Sequence, residues 1–142
     1  MISGTGSPAT FRTRRRVEFV DTDMAGIVHF SNFFRYMEAA EVDFLAARGL
    51  AVKLEWEGRT ISFPRVAASC DYFKPARFPD ELEIVVALER IGRKSLTYGF
   101  EIFRGELLLA RGRTSCVCCR FLDNQDLESM DIPPKLRSLL VP

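Results

Sequence analysis

A single α+β domain is what the sequence predicts: one strand, one long helix, then an antiparallel meander of four strands. Three observations carry this. From Asn32 onward Phe33, Met37, Ala40 and Phe44 recur at helical spacing, flanked by Phe34, Leu45 and Ala47, with Gly49 where a C-terminal cap belongs. Between Glu81 and Ile91 the apolar Leu82, Ile84, Val86 and Leu88 alternate, which puts them on one face of a strand. Then "IGRKS" and "RGE" separate the last three strand-like runs by turns short enough for hairpins, each with a glycine available for positive φ.

The elements follow in chain order. Residues 1–10, "MISGTGSPAT", read as a disordered segment ahead of one domain spanning 11–142. Phe11 to Val20 mixes aromatic and β-branched residues with arginines that belong on an exposed face or edge, as in a first strand. The helix that starts at Asn32 has too wide an apolar arc for a narrow stripe, so a sheet should cover much of its circumference. After the turn-rich "EWEGRT" the strands run over 61–73, 81–91, 95–103 and 107–121. "DIPPKLRSLL" closes the chain with a short helix whose start its prolines restrict.

With 142 residues, 47% hydrophobic content and 20 basic against 19 acidic residues, the chain can build a core but has no global field to recruit nucleic acid or an anionic membrane. No apolar run approaches the roughly 18 residues of a membrane span, and the N-terminus lacks the apolar stretch of a secretory signal. Four cysteines, three of them in "CVCC", make neither a disulfide framework nor a zinc motif, and buried thiols are expected. The reading is a cytoplasmic protein with no metal and no cofactor, whose partner is a small molecule or another copy of the chain.

The chemistry concentrates in "VEFVDTDMAGIVHFSNFFRYMEAAEVDFL". Two carboxylates, Asp21 and Asp23, end a strand-like run, and the lone His29 and the helix start follow Gly26 closely. A carboxylate can attack a carbonyl or activate water, and backbone N–H groups at a helix start lack internal partners and carry the positive end of the dipole. The turn "GRKS" offers Arg93, Lys94 and Ser95 as a clamp for phosphate groups, through charge-assisted bonds.

The stretch "DTDMAGIVHFSNFFRYMEAAE", the downstream "RIGRKSLTYGFEI" and the closing "IPPKLRSLL" together resemble the hotdog-fold thioesterases of the 4-hydroxybenzoyl-CoA thioesterase and YbgC-like group. The resemblance runs over nearly the whole chain in order, and its Asp-x-Asp-x-x-Gly block is the most specific part. It implies a hotdog fold, in which a curled antiparallel sheet of about five strands wraps one long central helix. It also implies an acyl-CoA thioesterase that releases a free acid and coenzyme A. Asp23 then takes the place of the catalytic carboxylate and the Phe30 backbone N–H that of the oxyanion donor. Gly26 leaves room for the thioester, and Arg93, Lys94 and Ser95 hold the nucleotide. A homodimer or homotetramer, with sites completed across subunits, is implied as well.

Each role has a rival. Asp23 could be a loop residue bonding its own backbone, and Asp21 is read as ordering the loop rather than reacting. His29 is read as pocket lining that contacts substrate, because this sequence departs from the group's commoner "Val-Tyr-His" wording. Glu38, on the helix, is the reserve acid, set against a carboxylate bonded to backbone or arginine, and the basic hairpin could be ordinary surface. At the level of function, the rivals are a non-catalytic acyl-thioester binding protein and a hotdog enoyl-thioester hydratase, whose usual Asp and His wording is absent. An acyl carrier protein could replace coenzyme A as the carrier.

Overall fold

The computed structural model describes residues 10–141. The expected disordered segment 1–10 lies outside the described residues except for Thr10, which opens strand β1 (Thr10–Arg16). The chain continues through a 3-10 turn at Phe19–Asp21, helix α1 (Asn32–Ala46), β2 (Lys53–Trp56), β3 (Arg59–Ser62) and β4 (Arg65–Tyr72). Then come β5 (Glu81–Ile91), β6 (Ser95–Arg104), β7 (Leu107–Val117), β8 (Cys119–Phe121), β9 (Leu127–Ser129) and α2 (Pro134–Leu140). The strands form a five-stranded sheet, ordered β1-β5-β6-β7-β4, and a four-stranded one, ordered β2-β3-β8-β9, with every pairing antiparallel.

The long helix, the two hairpins and the alternation of β5 stand where the sequence puts them. Leu82, Ile84, Val86 and Leu88 are all buried, and Gly49 ends α1 with positive φ. Four boundaries differ, each for a backbone reason. β1 stops at Arg16 and not Val20, because its partner β5 begins at Glu81; the next amide, Val17 N–H, bonds the Asp80 carbonyl at 2.8 Å. "EWEGRT" holds a hairpin, with Glu57 and Gly58 both at positive φ between β2 and β3, the conformation that two-residue hairpin turns require. The run 61–73 divides at Phe63–Pro64 into the end of β3 and all of β4. The run 107–121 divides at Cys118, where β6 has turned away, and the Cys118 amide caps the Lys94 carbonyl at 2.7 Å before the chain joins β3 in the second sheet.

Helix α1 contacts β1, β4, β5 and β7 and buries Phe33, Met37, Ala40 and Phe44 among them. Its close seat depends on Gly112 of β7, where a Cβ would overlap the Met37 thioether. All four cysteines are free thiols, three of them buried. No helix among the described residues is long and apolar enough to cross a membrane.

One charged residue sits inside the core. Glu41 of α1 is 1% exposed; its Oε1 accepts from Arg65 Nη2 at 3.0 Å, while its Oε2 has no hydrogen-bond partner among the described residues. Burial pushes this carboxyl above its ordinary 4.5, and the Arg65 guanidinium pulls it back only in part. A raised acid favours folding in its protonated form, so its contribution is complete below about pH 4.5 and is lost as pH rises through the folded value. Glu41→Gln cannot titrate. Its urea midpoint, compared with wild type from pH 4 to pH 8, should gain on wild type as pH rises; a constant gap would show that Glu41 ionises as freely in the fold as in the unfolded chain.

Candidate active site

The segment between β1 and α1 folds back on itself. Glu18 N–H donates to Asp21 Oδ2 at 2.9 Å and Asp21 N–H to the Glu18 carbonyl at 3.0 Å, which makes the 3-10 turn. Thr22 and Val28 then pair as an isolated bridge, with Asp23 N–H on the Ile27 carbonyl at 2.9 Å and Gly26 N–H on the Asp23 carbonyl at 3.0 Å. Gly26 turns this tight loop at a φ of +79°, a left-handed conformation that a side chain disfavours. A Cβ there would meet no atom within 4 Å, so within the protomer Gly26 is needed for its backbone angle and not for space. Val28 N–H on the Ala76 carbonyl, at 2.8 Å, pins the loop to the segment leading into β5.

Asp21 joins this loop to the helix. Its carbonyl accepts both the His29 amide at 2.9 Å and Asn32 Nδ2 at 2.8 Å, and its Oδ2 also accepts the Tyr36 hydroxyl at 2.9 Å. Burial and that bond raise the Tyr36 phenol well above its ordinary value, so it stays a donor. Asp21 therefore has the loop-ordering geometry that the sequence suggests. Asp23 is different. It is exposed, its Oδ1 accepts the Ala25 amide at 2.8 Å, and its Oδ2 has no hydrogen-bond partner among the described residues.

At the start of α1, Asn32 N–H bonds the His29 carbonyl at 2.9 Å and Ser31 N–H bonds His29 Nδ1 at 3.2 Å. Among the described residues the Phe30 amide has no hydrogen-bond partner, whereas the Phe30 carbonyl accepts the Tyr72 hydroxyl at 2.9 Å. Asp23, Ile27, Val28, Phe30 and Phe33 line a pocket of about 420 Å³ together with Tyr72, Phe73, Lys74 and Pro75 from the end of β4. Apart from Asp23 and Lys74 its walls are apolar or aromatic, a composition usual for small-molecule sites. A groove of about 350 Å³ on the face of the five-stranded sheet is charged, and four of its five charged residues pair with one another, Glu89 with Arg113 at 2.9 Å and Glu101 with Arg111 at 3.1 Å.

The structure brings Asp23 and Phe30 to one pocket and places the other candidates elsewhere. His29 does not line it. The imidazole Nδ1 is taken up by Ser31, accepting the backbone amide and lying 2.8 Å from the hydroxyl, and the ring stacks on Phe30 with centroids 4.6 Å apart. Glu38 is exposed and pairs with Arg65 at 3.5 Å. Arg93 pairs with Asp131 at 2.9 Å, and Arg137 of α2 donates to the Gly92 carbonyl at 2.6 Å, fixing the β5–β6 turn. The cross-strand row Ile84, Ile102, Ala110, Tyr72 lies seven residues along β5 from Ile91. At about 3.3 Å per residue, this sets the turn with Arg93, Lys94 and Ser95 roughly 23 Å from the pocket.

The sequence reading missed Tyr72, Phe73, Lys74 and Pro75. They are remote in the chain from Asp23, and only the sheet order brings them across; the local signal was "YFKP", an aromatic pair closing a strand before a proline.

Thioester hydrolysis is the class that comparison with known proteins gives to this α+β fold and pocket. The chain belongs to the thioesterase-like superfamily, whose family model matches residues 17–140. It is 28% identical over 127 residues to a 1,4-dihydroxy-2-naphthoyl-CoA hydrolase of Nostoc punctiforme, covering 89% of this chain and 84% of that one. The crystal structure of a 1,4-dihydroxy-2-naphthoyl-CoA thioesterase from Synechocystis superposes with a TM-score of 0.79 at 26% identity, over 93% of this chain and 96% of that one. A gentisyl-coenzyme A thioesterase superposes with a TM-score of 0.76 at 27% identity, over 89% and 99% of the two chains.

Because only backbone angle constrains Gly26, Gly26→Ala should lower stability by about 1 kcal/mol, the order of the left-handed penalty for a residue with a Cβ. Denaturant titration measures it, and an unchanged midpoint would mean that the loop relaxes without strain.

Proposed function

We propose that the protein hydrolyses an acyl-CoA thioester to the free acid and coenzyme A, with Asp23 as nucleophile or general base. One observation carries the reading: a carboxylate with an uncommitted oxygen and an unpartnered amide, Asp23 and Phe30, line the same apolar pocket. The thioester carbonyl would rest with its oxygen at Phe30 N–H and its carbon before Asp23. As nucleophile, Asp23 adds to that carbon, expels the coenzyme A thiolate and leaves a mixed anhydride that water cleaves. As general base, it takes a proton from the attacking water. In either case negative charge develops on the carbonyl oxygen, and a fixed N–H in low-polarity surroundings stabilises it more than water would.

The aromatic walls formed by Phe30, Phe33, Tyr72 and Phe73 favour an aromatic acyl group. The relatives named for 1,4-dihydroxy-2-naphthoyl-CoA and gentisyl-CoA support the same class. Arg93, Lys94 and Ser95 would hold the nucleotide for the pocket of a second copy, since their own pocket is a sheet length away. β4 is an outer strand of its sheet and is exposed along nearly its whole length, which supports a homodimer or homotetramer. The phosphopantetheine arm of an acyl carrier protein offers the same phosphate chemistry to those residues. We further read the fold as a hotdog, with the five-stranded sheet curled round α1; its contacts with β1, β4, β5 and β7 support this.

The test is thiol release from a panel of aromatic and straight-chain acyl-CoAs by wild type and Asp23→Asn, which keeps the shape and removes the charge. We expect turnover of aromatic members and a loss of at least about a hundredfold in the variant, the scale of an acid–base or nucleophilic contribution. Equal rates would return Asp23 to a loop role and leave Glu38 as the acid to examine, while binding without release in wild type would favour a non-catalytic acyl-thioester binding protein.

A further inference from the structure

Tyr72 is the last residue of β4, paired with Ala110 of β7, and its side chain reaches across to the start of α1. Its hydroxyl donates to the Phe30 carbonyl at 2.9 Å, and its ring meets Phe33 edge-on with centroids 5.2 Å apart. The Phe30 carbonyl has one other donor, the Phe33 amide at a long 3.4 Å. The turn 29–32 is therefore held from two sides. On one side the Asp21 carbonyl takes the His29 amide and the Asn32 side chain; on the other, Tyr72 holds the residue between them.

We infer that Tyr72 is a positioning residue: by tethering the Phe30 carbonyl to the sheet, its hydroxyl holds Phe30, and with it the Phe30 amide, in place at the wall of the pocket. This rests on the reading of Phe30 N–H as the oxyanion donor. An amide that makes no hydrogen bond of its own has nothing to orient it except the bonds of its neighbours. Without Tyr72 the Phe30 carbonyl keeps only the long Phe33 contact, and the Phe30–Ser31 peptide rests on the 3.2 Å bond from Ser31 N–H to His29 Nδ1, while the His29–Phe30 peptide keeps its bond from Asn32 N–H to the His29 carbonyl. Partial burial, with Cys70 beside it, pushes the Tyr72 phenol up to about 12, so the donor keeps its proton through the neutral range. A side chain that merely walled the pocket would need its ring and not its hydroxyl.

Tyr72→Phe separates these roles, because it keeps the ring and its contact with Phe33 and removes one oxygen. With the best acyl-CoA of the panel, kcat should fall about tenfold, the scale of a small misplacement of a catalytic group. KM should stay within about twofold, since the lost interaction serves the transition state and not ground-state binding. Backbone 15N relaxation gives a reading independent of turnover, with order parameters from His29 to Asn32 falling in the variant. A raised KM at unchanged kcat, or order parameters equal to those of wild type, would overturn the inference. If wild type releases no thiol from any member, the proposed function itself falls, and the relaxation data alone then show whether the tether exists.

Discussion

The geometry of this pocket depends on the carbonyl of Asp21. One oxygen accepts the His29 amide and the Asn32 side chain, while the carboxylate of the same residue holds the Glu18 amide and the Tyr36 hydroxyl. Each such bond contributes only about 1 kcal/mol net, but a half-buried donor left without its acceptor costs about 1–3 kcal/mol. Four donors on one residue therefore make any other course of the chain unfavourable. Between these anchor points the chain has no freedom except the short bridge from Thr22 to Val28, and that bridge presents Asp23 outward.

The division of labour between the two acids follows from this. Asp21 is half-buried and takes four donors on its carbonyl and Oδ2, so it serves as a fastening; Asp23, two residues on, is exposed and takes only the Ala25 amide on its carboxylate. The same logic separates the amides at the helix start. His29, Ser31 and Asn32 donate locally, and Phe30 alone of the four does not. The sheet then supplies what the motif cannot: Tyr72, Phe73, Lys74 and Pro75 close the pocket, and the Gly112 notch lets α1 sit close enough to β7 for them to reach it.

Much of the fold was legible in the sequence because its periodicities are local. The 3.6-residue spacing of Phe33, Met37, Ala40 and Phe44 and the alternation of Leu82 to Leu88 each report one element, and both stand in the structure. The four-stranded sheet was not legible, because β2, β3, β8 and β9 have three or four residues each, too few for a period to show. Of the site, the Asp23-to-Phe30 block stood out through its resemblance to a family motif and not through periodicity. Its wall from β4 could not be read, nor could the pairing of buried Glu41 with Arg65, since both depend on strand order. His29 follows the motif closely in sequence, and the structure engages its Nδ1 with Ser31 and stacks its ring on Phe30.

The central claim is that Phe30 N–H meets the thioester carbonyl in the pocket that Asp23 lines. Its most direct measurement is the amide spectrum of 15N-labelled Asp23→Asn, in which bound aroyl-CoA persists, titrated with that substrate. The account predicts that the Phe30 resonance shifts downfield on binding, more than those of Ser31 and Asn32, whose amides are already engaged. Saturable binding that leaves the Phe30 amide where it was would contradict it.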